Sequence, residues 1–549
     1  MPTITLNKTV FENLVGKKLP LEELKDRISL LGTDLEKIDG EEIVVEIFPN
    51  RPDMLSEQGF ARAFSSFIGV KTGLRRYEVK KSGLKVIVDK SVTMRPYTAC
   101  AIVKNINFTD ERIREIMQAQ EKLATTHGRN RKKSAYGIYP LKGITFPINY
   151  IAKDPHLIMF QPLGFNHKIK ASQVEIIHPA GQKYKLLAEG WKEYPFFIDS
   201  KDQVMCMLPY TNSNDTGKVD LDTKEVFIEC TGNDLFNVQL ALNIFVTMFA
   251  DMGGDIYSLD IIYPDKTITT PNLTPSRMKL DLAYTNKRLG LNLKEQEAVH
   301  LLEKMGYGYE KGEVLIPSYR ADILHSIDLV EDVAIAYGYE KFTEEIPQVS
   351  TIGEEAANEK FYRKVREILV GFGLLEVKNY HLMTAEELNQ NMNLETEIVA
   401  LKNAVGEYNH LRNSLLPSLM KNLKENQHNE YPQNIFEVGR TFIYGNSETG
   451  IIESDKLAVF FAHEKTDFTE IRQILDGLMS MLGLEFKVKE SVHESFIPGR
   501  VGEIYIGDKS VGYIGELHPQ VIINWSLAIP VVGFELDLET IFLDKFKTK

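Results

Sequence analysis

Cysteine is scarce in this chain: Cys100, Cys206 and Cys230 are the only three in 549 residues, and they stand far apart with no paired spacing. That excludes a disulfide framework and a thiolate metal site, and it predicts core thiols in a reducing compartment. Long apolar runs are absent too, none approaching the roughly eighteen residues of a membrane span. The N-terminus, MPTITLNKTVFENL, lacks a charged start followed by an apolar core. A cytoplasmic location with no membrane partner is the expectation. Low-complexity tracts are missing, and arginine disappears altogether after Arg500.

What is present is ordinary globular material, 43% apolar and 26% charged, enough for about three to four domains. The net charge of −13 disfavours a nucleic-acid partner over the surface as a whole, because phosphate contacts come from Lys and Arg. A local patch must do that work if one exists. The densest is HGRNRKK at 127–133, where Arg129, Arg131, Lys132 and Lys133 follow the helical pattern DERIREIMQAQEKLA. A solvated basic loop is the plain alternative.

The chain reads as a first module over 1–90, an α+β domain over 91–262, a second module over 268–345, a polar acidic linker, and a last domain over 355–549. In the second domain TACAIVKNI, ITFPINY and SQVEIIHP read as strands and NVQLALNIFVTMFADMG as a hydrophobic helix. The two modules are copies: amphipathic stretches bracketed by Gly16 and Gly32, and by Gly290 and Gly306, lead to Arg51-Pro52-Asp53-Met54 and Arg320-Ala321-Asp322-Ile323. Sixteen positions separate Asp53 from Gly69, and sixteen separate Asp322 from Gly338. One helix, strand and helix unit is used twice.

The second copy carries the densest acids. From Asp328 the periodicity is helical, with Leu329, Val330 and Val333 on one face and Asp328, Glu331 and Asp332 on an exposed edge near Asp322. Such a set suits a hard divalent cation, of which Mg²⁺ takes one or two carboxylates directly. It suits equally a capping box in which Asp328 caps the helix and Glu331 reaches back.

Five segments together carry a resemblance: PSYRADI followed by DLVEDVAIAYGY, FPNRPDMLSEQGFAR at 48–62, HGRNRKKSAYGIYP at 127–140, HLRNSLLPSLM at 410–420 and FIPGRVGEI at 496–504. They resemble the β chain of phenylalanyl-tRNA synthetase, of the short archaeal and eukaryotic-cytosolic type, nearly end to end. The resemblance implies an α+β multidomain fold with two small helix-strand-helix modules, an editing domain at 91–262, and a C-terminal antiparallel-sheet domain like the class II synthetases but lacking catalytic signatures. It implies a β subunit of phenylalanine-tRNA ligase, in an (αβ)₂ heterotetramer whose separate α subunit attaches phenylalanine to tRNA(Phe) with ATP as substrate. It implies Mg²⁺ shared with that subunit and held by Asp322, Asp328, Glu331 and Asp332, and it makes tRNA contact the reading of Arg129, Arg131, Lys132 and Lys133. With no arginine after Arg500, GYIGELHPQV stands where an arginine motif gripping ATP would be expected, so the last domain is read as a silent copy. Arg412 and Arg440 are then structural or interfacial.

Tyrosine explains the editing domain. An apolar pocket rejects an added hydroxyl by only about 10²-fold, so a second pocket must hydrolyse Tyr-tRNA(Phe). Two segments there, LPYTNSNDTG and ECTGNDL, offer small polar groups. Asn212, Ser213, Thr216, Thr231 and Asp234 are expected to line it, with Glu229 as a further candidate. No Ser-His-Asp or Cys-His arrangement is readable, so positioned water is the expected nucleophile. His127, His156, His167 and His178 read as surface or core residues. A tRNA-binding scaffold without editing, and a self-sufficient ligase, are the competing readings.

Overall fold

Each repeated segment folds into two helices, a β-hairpin and a third helix, led by a short strand, as seen in a computed structural model that describes residues 2–347, 350 and 352–546. The chain divides into two compact units, 1–346 and 347–549. In the first copy strand Thr3–Asn7 precedes helices Lys8–Val15 and Leu21–Leu30, strands Asp34–Asp39 and Glu42–Glu46, and helix Glu57–Phe67. The second repeats this as Ser276–Lys279, Leu282–Leu289, Glu295–Lys304, Gly308–Glu310, Glu313–Ile316 and Ser326–Tyr337. In both three-stranded sheets the last strand lies between the other two. The bracketing glycines earn their place: Gly16, Gly32, Gly290 and Gly306 all take positive φ at the turns that follow the helices.

The copies pack together. Ser66 Oγ and Gly73 N both donate to Glu303 O, at 3.0 and 2.7 Å, and Phe11, Ile28 and Phe60 share one core with Leu302, Tyr307 and Leu329. The same core extends into the helix Leu235–Asp251.

A ten-stranded mixed sheet fills the rest of this unit. Strand Val79–Val88 belongs to it, pairing in parallel with Asp255–Ile262 and Ile148–Lys153, so the first module ends before 79 rather than at 90. SQVEIIHP, expected as a strand, forms a turn of helix Val174–Ile177 leading to a second, Pro179–Tyr184. Its β-branched run lost to local punctuation, because His178 is extended and its ring accepts from Ala180 N while Pro179 opens the next helix. These helices, with the short strands Met159–Phe160 and Ile169–Lys170, build a cap around Phe160, Ile169, Val174 and Tyr184. The large sheet curls until its ends meet, where Tyr139 on the strand Ser134–Pro140 donates to Asn212 on the strand Thr211–Asn212 at 3.1 Å. All three cysteines are buried and free.

In the second unit a seven-stranded sheet, parallel only at the Leu375–Glu376 edge, separates two cores. Alternation along Ile451–Ala462 sends Leu457, Val459 and Phe461 to one and Ala458, Phe460 and Ala462 to the other. Among the described residues no helix is long and apolar enough to cross a membrane.

Candidate functional site

The strand Val226–Gly232 is buried along its whole length, yet carries Glu229 at its centre. Its alternation puts Val226, Ile228 and Cys230 under the Leu235–Asp251 helix and turns Phe227, Glu229 and Thr231 into the curled sheet. Gly137 lies opposite Glu229 in the ladder. A Cβ there would run into the Tyr139 hydroxyl and the Glu229 carboxyl, so this glycine makes the space the acid occupies.

Glu229 is wholly inaccessible, and burial pushes its pKa up to about 8 against the pull of Tyr139, Arg95 and Arg131. At neutral pH it is therefore mostly protonated and can both donate and accept. Tyr139 bridges Glu229 Oε1, at 3.2 Å, and Asn212 Oδ1. Arg95 donates to the carbonyls of Arg131 and Thr231. Three polar atoms in this cluster are buried without a hydrogen-bond partner among the described residues: Glu229 Oε2, Thr231 Oγ1 and Arg95 Nε. Such groups cost about 1–3 kcal/mol each when left unmade, so a water or another polar group is expected to complete them.

Of the residues expected in the pocket, Asn212 is joined to Glu229 through Tyr139, and Thr231 follows Glu229 by two positions on the same face of its strand. The other three have local duties. Ser213 caps the short helix Asn214–Gly217, Thr216 Oγ1 donates to Met205 O, and exposed Asp234 caps Leu235–Asp251 by accepting from Asn237 N and Nδ2. Small polar residues before a helix are caps first. Arg95, Tyr139 and Gly137 had no local signal in sequence. A lone acid in an otherwise apolar strand was the available clue to Glu229.

The basic loop splits likewise. Arg129, Asn130 and Arg131 all have positive φ, a strained turn that leaves Arg129 and Lys132 exposed and Lys133 half-buried. Arg131 is the correction: its Nη1 donates to Pro209 O and Tyr210 O at 3.0 and 2.7 Å, and its guanidinium lies 4.5 Å over the Tyr184 ring. It braces the cap against the sheet, and its Nη1 is spent inside the fold.

The acidic edge in the second module is also divided. Asp332 is buried rather than exposed, accepting from Arg320 Nη2 at 2.8 Å and from Tyr307. Arg320 grips Asp322 with two bonds of 2.8 and 2.7 Å, as Arg51 grips Asp53 in the first copy at 2.9 Å. Asp328 does serve a cap, but at the third position of a helix that His325 opens, accepting from Leu324 N and His325 N at 2.7 Å. Glu331 has no hydrogen-bond or ion-pair partner among the described residues, and burial together with Asp332, Asp328 and Asp322 raises its pKa. The donor set is all oxygen and fits a hard cation, with Asp328 and Glu331 keeping free lone pairs. The four acids do not converge as they stand: among the described residues the trio whose ligand atoms lie within 4.8 Å of one another is Asp34, Glu36 and Glu46.

In the second unit Arg412 is fully buried, donating to Glu437 Oε1 at 2.8 Å and Arg440 O at 2.9 Å. Arg440 is exposed and pairs with Glu453 and Asp455. Arg412, locked to an acid, cannot grip a phosphate.

Comparison with known proteins matches residues 343–538 to the family described as phenylalanyl tRNA synthetase beta chain CLM domain, and 278–339 to the tRNA synthetase B5 domain. The phenylalanine–tRNA ligase beta subunit of Pyrococcus abyssi is 41% identical over 555 aligned residues, covering 99% of this chain and 100% of that one. Its counterpart in Archaeoglobus fulgidus is 39% identical over 552, covering 99% of each. A crystal structure of an N-terminal fragment of the phenylalanyl-tRNA synthetase beta-subunit from Pyrococcus horikoshii aligns with a TM-score of 0.59 and 37% identity, over 61% of this chain and 99% of the fragment.

Proposed function

The chain belongs to the family of phenylalanine–tRNA ligase β subunits, and on that footing we propose that its curled sheet is the proofreading site of the ligase, where tyrosine wrongly joined to tRNA(Phe) is hydrolysed. The carrying observation is Glu229, buried with Oε2 unpaired beside Thr231 Oγ1 and Arg95 Nε. A phenol hydroxyl completes that cluster. A phenylalanine ring leaves it unsatisfied, so the site penalises the correct product and accepts the wrong one. Glu229, Asn212 and Thr231 hold the tyrosine, Tyr139 holds Glu229 with the Arg95 charge nearby, and water is the nucleophile because the cluster presents no Ser-His-Asp or Cys-His set. The three cysteine thiols are pushed up by burial and do not compete for that role.

Synthesis belongs, in this reading, to a separate α subunit that binds ATP and phenylalanine, the two chains forming an (αβ)₂ heterotetramer in the cytoplasm. The sealed Arg412–Glu437 pair and the absence of arginine after Arg500 support a silent second unit. Asp328 and Glu331, backed by Asp322 and Asp332, are the residues that would hold Mg²⁺ toward the partner. A divalent ion there neutralises a clustered negative edge and ties it to a facing oxygen donor. Arg129, Lys132 and Lys133 contact tRNA(Phe).

The test is deacylation of Tyr-tRNA(Phe) by the purified complex. Wild type hydrolyses it, and Asn212→Ala or Thr231→Val slows hydrolysis about tenfold or more while phenylalanine charging continues. Normal hydrolysis by both variants would remove the site from the cluster, and no hydrolysis by wild type would leave a scaffold subunit.

A further inference from the structure

The positive charge of this acidic chain is gathered around the proposed hydrolytic site. Between residues 127 and 192 there are eleven Lys and Arg against three Asp and Glu, a net of +8 in a chain of −13. Much of it sits on the cap. Lys168, Lys170, Lys183 and Lys185 are all exposed. Ile169 points into the cap core, so alternation turns Lys168 and Lys170 to the same outer face, where Lys170 pairs across the ladder with exposed Met159.

An aromatic platform adjoins these lysines. Phe165 stacks on His178 at 5.4 Å between centroids and meets exposed His167 at 5.9 Å. The turn that carries it is fastened to the site. Leu163 N donates to Asn212 O at 2.9 Å, Asn214 N donates to Gln161 O at 2.7 Å, and the His178 ring reaches Leu163 O and the Thr211 hydroxyl. Asn212 is itself bonded to Tyr139 of the Glu229 cluster.

We propose that Phe165, His167, Lys168 and Lys170 form a cradle for the unpaired end of an RNA strand, seating its terminal bases beside the Glu229 cluster. Resting on the hydrolytic reading, this names how the substrate's nucleic-acid end is held. A duplex shows such a face only its phosphates. An unpaired strand offers base faces to stack on His167 and Phe165 and to cover Met159, with phosphates for the lysines, the combination that single-strand sites use. The cradle continues toward Arg129 and Lys132, because Arg131 in their loop and Lys183 on the cap lie against the same Tyr184 ring.

The experiment uses the whole complex, a labelled single-stranded RNA hexamer, the same hexamer annealed to its complement, and Tyr-tRNA(Phe). Replacing His167, Lys168 and Lys170 together by Ala should weaken hexamer binding at least tenfold and flatten its salt dependence. Duplex binding, which uses the lysines alone, should fall by less than the hexamer does, and the melting temperature should stay unchanged. For Tyr-tRNA(Phe) hydrolysis KM should rise with kcat preserved, and His167→Phe, which keeps a stacking face, should behave as wild type. If wild type hydrolyses and the triple variant matches it in KM and hexamer affinity, the cradle is refuted while the hydrolytic reading stands. A fall in kcat alone also refutes it. If wild type does not hydrolyse at all, the hydrolytic reading falls, and hexamer affinity alone decides for or against the cradle.

Discussion

Replacing Glu229 by Gln separates a working buried acid from an ordinary core residue. The amide keeps the shape and both hydrogen-bonding faces but cannot ionise. In the native protein burial lifts Glu229 from an ordinary 4.5 to about 8. Between those values the folded state holds a proton that the unfolded state has released, so stability falls as pH rises through the window and the loss is complete above about 8. The shift corresponds to about 4 to 5 kcal/mol at 1.36 kcal/mol per unit. Glu229→Gln should be relieved of this loss. Its stability relative to wild type should climb by about 1.4 kcal/mol per pH unit across the window, read from denaturant midpoints of the complex at pH 5.5 and 8.5. Glu57, lifted to about 8 by burial and by Glu115, adds a similar slope to both proteins and cancels in the difference. Tyr-tRNA(Phe) hydrolysis should fall about fivefold or more, because an amide is a weaker donor to the phenol than the acid's proton, at a cost of about 1 kcal/mol. Parallel loss of stability in the two proteins would show that Glu229 titrates normally, and the reasoning from burial would fail.

Arg131→Ala should destabilise by about 2 to 4 kcal/mol, through two charge-assisted bonds and a stacked ring, lowering the melting temperature. Arg129→Ala with Lys132→Ala should leave melting unchanged but weaken tRNA binding and reduce its salt slope by about two. Arg412→Ala should cost about 3 to 5 kcal/mol by leaving buried Glu437 without its bonded countercharge, with Asn379 still donating to it, whereas Arg412→Met with Glu437→Leu should recover most of that stability; equal melting of the two would contradict a buried pair. Asp328→Ala should cost about 1 kcal/mol as a lost cap. Glu331→Ala should cost little, yet raise the Mg²⁺ concentration that the complex needs for charging; an unchanged requirement would return the edge to capping alone.

Periodic and punctuated features were legible in sequence. The helices 110–125 and 235–251 follow their patterns, and the duplicated module shows itself in its glycines and in matching Arg-x-Asp turns. Illegible were the contacts made by chain segments distant in sequence. Tyr139 and Asn212 lie seventy-three positions apart and meet only because the sheet curls. Ser213 and Asp234 offered the same polar surface in sequence but spend it on helix termini. Asp332 follows the helical spacing of Glu331 by one residue, a rotation of about 100°, which is enough to carry it from the edge to Arg320.

The two modules show how one fold is put to opposite uses. Aligning Asp53 with Asp322 places Gly59 at Asp328 and Arg62 at Glu331. Both copies keep the Arg-x-Asp clamp, so the clamp belongs to the fold itself. In the first copy a side chain at Gly59 would strike Asp53 O, and Arg62 turns to Asp251, Tyr77 and the Tyr319 ring. That helix face is used up inside the unit. In the second copy the same two positions carry carboxylates, one capping its helix and one left without a partner. An unpaired acid persists on a folded surface at low cost only where water or a cation can reach it. The first module therefore anchors the unit to itself, and the second keeps a negative edge facing outward, where a cation or a partner subunit can complete it.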